Sequence, residues 1–327
     1  MVLSDKLFCQ SINQTKTGSM KANLLIVFFL ISATSFAQDF KLAGINYTYY
    51  PARQIKNAVN PDDKISYEEI NFHIALPFIS KNKKNIFINK LADTHMEVTT
   101  ELASGEPSFI SGPFHTISYS LAWIHVINKK WMFLASAGTS VASDLRDKLS
   151  SDDFLFEGVA LARHTFNEHW GVGLGVAYLS LFGKPLLLPV VEASYEKSLF
   201  KASFVFPISG RIIFSTSNKK LKYGFETKVG GNNYNLEDGY YLAGTNTFID
   251  KVRYSRINIG PTLEWNFWKS LHLGISTGIT GRRVLELEDN NKNLYSYDAK
   301  PGPYFTIGFF ISPPAKKNVD DLEPLSR

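Results

Sequence analysis

Residues 253–283 read RYSRINIGPTLEWNFWKSLHLGISTGITGRR. Every second residue from Ile257 is apolar: Ile257, Ile259, Pro261, Leu263, Trp265, Phe267. The residues between them, Arg256, Asn258, Gly260, Thr262, Glu264 and Asn266, are polar or small. Trp268-Lys269-Ser270 has room only for a tight turn. The alternation then resumes with Leu271, Leu273, Ile275, Thr277 and Ile279 against His272, Gly274, Ser276, Gly278 and Thr280. Two period-two runs across a short turn predict a hairpin. Each arm is about ten residues or longer, the length a tilted strand needs to cross a bilayer. The segment therefore reads as one membrane-crossing hairpin of a barrel.

The same pattern recurs along the chain. Strands are expected at 43–49, 70–76, 86–98, 114–127, 131–142, 154–164, 172–178, after Pro185, at 200–206, 211–216, 223–229, in the two arms above, and at 305–311. This predicts an all-β fold, a closed antiparallel transmembrane barrel of about fourteen strands, with twelve as the alternative if the corner 206–210 is a bulge. Short turns at 81–84, 128–130, 167–169 and 218–220 alternate with longer connections at 51–64, 101–113, 144–153 and 231–251, and a further loop is read at 288–294. Tight periplasmic turns and longer outer loops produce that alternation. Both ends of the barrel are then periplasmic, and Trp265, Phe267 and Trp268 mark the periplasmic membrane edge, as Trp123, His125 and Trp131 do beside another short turn. Pro261 falls mid-strand, where it removes a ladder bond, and a bulge there would accommodate it.

The bulk composition agrees. Aromatic residues make up 14% of the 327, hydrophobic residues 44%, and the mean hydropathy is -0.09. A barrel needs only every second strand residue to meet lipid, so its average stays near neutral. The net charge of +5 carries no Lys/Arg block and gives no argument for nucleic acid. The only cysteine is Cys9.

Met20-Lys21 precedes an apolar run, Leu24–Ile31, and a small-residue exit ending in Ser35-Phe36-Ala37. These are the three parts of a secretory signal peptide, so 20–37 is expected to be removed and 1–19 to precede a misassigned start. Without that segment the chain has 32 basic and 29 acidic residues and no cysteine, which fits an oxidising envelope compartment. The barrel is assigned to 38–312, and 313–327 to a periplasmic tail.

Leu186-Leu-Leu-Pro189, Phe204-Val-Phe-Pro207 and Gly302-Pro-Tyr-Phe-Thr-Ile-Gly308 resemble a family of outer-membrane β-barrel proteins of uncharacterised function found in Bacteroidota. The resemblance covers roughly residues 40–312. It implies a barrel in the cell outer membrane, in contact with outer-membrane lipid, and implies no activity. Barrels of this kind usually end on an aromatic that the barrel assembly machinery reads. Here Phe309-Phe310 would be that signal, set inside the chain by the charged tail.

With the apolar face outward, the inner set includes Glu69, His73, Asp93, His95, Glu97, Glu192, Glu196, Lys201, Glu226, Lys228, Arg256, Glu264, His272 and Arg282. The turn at 81–84 allows residue pairs summing to 164 or 166. Either would make His73 and Glu69 neighbours of Asp93, His95 and Glu97. A histidine beside a carboxylate could act as a general base or help hold a metal. Against this stands a solvated lumen wall whose charges pair with one another. No nucleophile is identifiable, and Gly171-Val-Gly173-Val-Gly175 is strand alternation without the strand-turn-helix setting of a phosphate loop. No catalytic residue, cofactor or metal is assigned, and the oligomeric state is left open. The expected function is a channel or transporter for small solutes. The alternatives are an interaction protein presenting 51–64 and 231–251, and an enzyme acting on lipid or peptide through His73, Asp93 and His95.

Overall fold

The computed structural model describes residues 40–56, 58, 60–102, 111–146, 148–241 and 246–313. The expectations for the signal segment, the earlier start and the tail beyond 313 lie outside the described residues, as does most of the connection 101–113. Fifteen strands follow one another: β1 (Ala43–Gln54), β2 (Lys64–Ile79), β3 (Asn85–Glu101), β4 (Ser111–Val126), β5 (Trp131–Ser143), β6 (Phe154–Thr165), β7 (Trp170–Leu179), β8 (Leu186–Lys197), β9 (Phe200–Phe206), β10 (Ser209–Ser215), β11 (Leu221–Tyr241), β12 (Phe248–Trp268), β13 (Leu271–Asp289), β14 (Leu294–Asp298) and β15 (Gly302–Ile311). A 3-10 turn, Ser151–Asp153, precedes β6. Every strand from β1 to β13 pairs with the next, β13 pairs with β15, and β15 pairs with β1. The result is a closed antiparallel barrel of fourteen strands. β14 continues the line of β15 along the same side of β13 in unchanged register, and its Asp298 carbonyl accepts from the Lys56 amide just past β1.

Closure removes every sheet edge in the hydrocarbon layer, where an unpaired backbone group costs several kcal/mol. The outward residues form an apolar belt: Ile70, Phe72, Ile74 and Leu76 on β2 and Leu263 and Ile259 on β12 are all exposed. Trp131, Trp170, Trp265 and Trp268 ring the short-turn end, where amphipathic rings prefer to sit. This is the fold of an outer-membrane barrel, and it fixes the cell outer membrane and its lipid as the surroundings.

Of three local readings, two change and the strand count at the corner holds. The segment 231–251, expected to be a loop, is mostly strand: β11 and β12 run 21 residues each, far longer than the belt is tall. The corner 206–210 is a two-residue connection between β9 and β10, so the count stays at fourteen in the ring. Pro261 sits in no bulge. The β12–β13 register is unchanged on either side, Ile259 opposite Ile279 and Thr262 opposite Ser276, with the intervening pairs missing. The bulge lies further along, at Gly281, where the partners step from Thr280–Asn258 to Arg282–Ile257.

Candidate functional site: the lumen and its covered mouth

The long ends of β11, β12 and β13 rise past the belt and cross the barrel mouth. β4 and β11 are seven strands apart in either direction round the ring, yet they touch. Asn232 Nδ2 on β11 donates to Thr116 Oγ1 on β4 at 2.6 Å, and the rings of Phe114 and Tyr234 lie 5.1 Å apart. Asn235 on β11 forms a bridge with Ser143 at the end of β5, and its Nδ2 donates to Asp153 Oδ1 at 3.0 Å. These contacts span the diameter. Around them the inward faces of both walls merge into one apolar core, with Tyr50, Ile65, Tyr67, Met96 and Val98 from one side and Val252, Tyr254, Leu285 and Leu287 from the other. The rings of Tyr67 and Tyr254 stack at 4.6 Å. The outer mouth is filled with side chains.

Arg283 locks β13 into this core. It is 1% exposed. It donates to the backbone carbonyls of Pro51 at 3.0 Å and Ile65 at 3.3 Å, and its guanidinium lies 5.0 Å from the centre of the Tyr67 ring. Arg256 sits just below, in an ion pair with Glu69 and 5.3 Å from the Tyr50 and Tyr254 rings. Asn258 Nδ2 donates to Tyr50 Oη at 2.9 Å, and Thr280 Oγ1 donates to Asn258 Oδ1 at 2.9 Å. The seal is therefore apolar above and hydrogen-bonded below.

From there to the short-turn end the wall is polar and ion-paired. Arg163 on β6 pairs with Glu192 on β8 at 2.9 Å and donates to Ser194 Oγ at 2.6 Å. Arg211 on β10 reaches Glu264 and, at 3.8 Å, Glu226. Ser276 Oγ donates to Glu226 Oε1 at 2.7 Å. Lys201 and Glu196 pair at 3.7 Å. Lys228 lies on the same inward face of β11 as Glu226. His73 and His272 face inward near the short-turn end, the latter stacked on Phe310 at 5.0 Å. Paired signs let charges stand in a narrow lumen without an unpaired desolvated ion.

The histidine–carboxylate cluster does not assemble. β2 and β3 pair with a sum of 165, which sets His73 opposite Ala92 and Glu69 opposite Met96. The turn length alone predicts an even sum, and one step of register turns a whole strand over. Asp93, His95 and Glu97 therefore share the outward face with Leu91 and Phe87, and the sheet stands between them and His73. His95 meets His115 of β4 instead, rings 4.8 Å apart. Arg282 is also displaced from the inner set: the bulge at Gly281 turns it outward and Arg283 inward. Among the described residues no group of three histidine, cysteine or acidic side chains is placed to hold a metal ion. Lys90, Glu157, Arg163, Arg211 and Arg283 are inward charges that the alternation alone did not single out. Their signal was parity within each hairpin, which becomes usable once the register is known.

Among solved structures, 42 chains match. The TodX monoaromatic hydrocarbon channel (a deletion mutant) aligns at 8% identity over 83% of this chain and 89% of its own, with a TM-score of 0.43. The COG4313 outer membrane channel from Pseudomonas putida F1 aligns at 13% identity over 84% and 97%, with a TM-score of 0.37. The beta domain of the Bordetella autotransporter BrkA aligns at 9% identity over 84% and 100%, with a TM-score of 0.33. No curated protein matches. The family model described as "Domain of unknown function (DUF6268)" matches residues 33–312, and the chain accordingly belongs to the DUF6268 family.

Proposed function

We propose that this barrel is a channel or transporter for small solutes, held closed at its outer mouth by the crossing ends of β11–β13. The observation that carries the reading is the contrast within one lumen. Its wall is lined by ion pairs from the Arg256–Glu69 pair down to Lys201–Glu196, with a small apolar cluster of Leu161, Ala177 and Val190 on one side, while the outer end is filled from both walls by apolar side chains. A purely structural barrel has no need of an ion-paired conduit below a separate seal. The far side of the seal is held by part-buried hydrogen bonds at Asn232 and Asn235 and by the packing of Phe114 on Tyr234, the contacts that opening would have to part. Insertion through the barrel assembly machinery is part of the same reading, with the outward Phe309 available as its internal signal.

Planar-bilayer recording tests this. Wild-type protein should give brief stepwise openings, and the double substitution Asn232→Ala with Asn235→Ala should raise the open fraction. Lys90→Glu, on the inward face of β3, should shift the reversal potential toward cation selectivity. A folded barrel that stays silent in both forms would refute the channel.

A further inference from the structure

Most charges of the lumen wall are paired. Arg256 stands against Glu69, Arg163 against Glu192, Arg211 against Glu264 and Glu226, and Lys201 against Glu196. Lys90 on β3, Glu157 on β6 and Lys228 on β11 also face inward, and no ion pair reaches any of them among the described residues. All three are exposed. An inward side chain is exposed only where the lumen beside it leaves room for water, so these three charges stand in an open part of the conduit.

The register sets Lys90 and Glu157 in one row. Lys90 is opposite Ser120, Ser120 opposite Gly138, and Gly138 opposite Glu157. Three strand steps at ~4.8 Å put the ends of the row about 14 Å apart. The wall between them is low: Ser118, Ser120, Ser136 and Ser140 are the inward neighbours of Gly138. Gly138 itself has no room for a side chain, since a Cβ there would come within 2.9 Å of the Ser120 Cβ and of the Tyr119 carbonyl oxygen.

Lys228 reaches in from the opposite wall. β11 is six strands from β3 one way round the ring and eight the other, yet the Lys90 charge acts on Lys228, as those of Arg256, Glu69 and Glu226 do. Lys90 and Glu157 act on each other in the same way. Glu157 is the next inward residue below Leu155 of the apolar core, which places the row just under the seal. The Ser180 backbone N–H donates to the Glu157 carboxylate, and a carboxylate with about four lone-pair sites keeps capacity for more donors.

We propose that this space binds a small zwitterion of the amino-acid class, with its carboxylate between the Lys90 and Lys228 ammonium groups, its ammonium on Glu157 and its body over the serine-lined wall. That this ligand is the transported solute rests on the channel reading. Two cations from facing walls favour an anion, and Glu157 would repel one that carried no positive charge of its own. A neutral solute would leave all three charges without a counter-charge.

The full-length barrel in detergent micelles is probed by saturation-transfer NMR with alanine, propionate and ethylamine, which differ in the charges they carry. Alanine should bind about tenfold tighter than either of the others, the worth of one charge-assisted hydrogen bond. Lys90→Met with Lys228→Met should remove its advantage over ethylamine, and Glu157→Gln its advantage over propionate. Lys90→Arg should keep both. Heat-modifiable migration on gels checks that each variant is folded, and the single lysine variants repeat the test should the double one not fold. Equal binding of the three probes by wild type, or a preference for alanine that survives the lysine and Glu157 substitutions, would overturn the proposal. A barrel that prefers alanine in micelles and is silent in planar bilayers would keep the site and lose the channel. Stepwise conductance without that preference would do the reverse.

Discussion

At the residue scale, two side chains carry more than their share of the outer end. Arg283 is a buried cation that forms no ion pair with a carboxylate among the described residues. Two carbonyls and the Tyr50 and Tyr67 rings replace its water. Arg283→Ala strands both carbonyls and opens a cavity, so unfolding in urea should show a loss of about 2–4 kcal/mol. Arg283→Lys should recover less than half of that, because a point charge cannot serve two carbonyls and two ring faces at once. Asp289 closes the β13–β14 turn. Its carboxylate accepts from Asn293 Nδ2 at 2.9 Å, from the amides of Asn293 and Asn291 at 2.8 and 2.9 Å, and from Tyr295 Oη at 3.4 Å. Led by the Asn293 side chain, these bonds hold its pKa below the ordinary aspartate value. A depressed folded pKa adds stability that is complete above the unfolded value of about 3.9 and is lost as pH falls below it. The protection of the 294–298 amides, taken relative to their intrinsic exchange at each pH, should therefore be level from neutral pH to about pH 4 and should fall below that. Asp289→Asn should abolish the step and exchange faster at pH 7.

At the scale of elements, the β12–β13 hairpin shows how the wall tolerates Pro261. Gly278 takes a φ of +149, and a Cβ there would come within 2.2 Å of the Ile259 carbonyl oxygen. Gly278→Val should cost about 3 kcal/mol or more and lower the yield of heat-modifiable barrel, whereas Gly281→Ala, three residues on and open on its Cβ side, should stay within about 0.5 kcal/mol of wild type. The same hairpin explains what was legible beforehand. Inside the belt, lipid demands apolar residues outward, so Ile257 to Phe267 alternate cleanly and fourteen strands could be counted. Above the belt the demand inverts: the outward face is wet, and the inward face packs the core. Val252 and Tyr254 on β12, and Met96 and Val98 on β3, are apolar on the parity opposite to that of Leu263 and Leu91 below them. One alternation read through that inversion turns the strand over, which is how Asp93, His95 and Glu97 came to be placed in the lumen. It also made 231–251 look like a loop, since neither phase dominates there. The single extra residue at Gly281 exchanged Arg282 for Arg283 for the related reason that side-chain facing counts every residue. Glu69, Arg256, Glu264, Glu226 and Lys228 lie within the belt, and the alternation located their faces.

For the whole molecule, the cover and the wall are one chain, and the cover touches the far wall at places where no covalent constraint exists. Whether it moves decides what the ion-paired lumen can do. Asn235 and Ser143 are backbone partners in a bridge, which brings their Cα atoms within the span that a disulfide joins. The one cysteine of the sequence, Cys9, can be removed as a background substitution. In that background, Asn235→Cys with Ser143→Cys ties the crossing strands to β5. Oxidised protein should show no openings in planar bilayers, and reductant should restore them within the same membrane. The single variants, which carry no tie, should behave alike in both redox states. A disulfide that forms fully and leaves conductance unchanged would place the solute path elsewhere than beneath the cover. A fixed plug would give silence in every state. The reversible outcome alone fits a lumen whose charges, from Glu69 to Lys201, line a route that the ends of β11–β13 open and close.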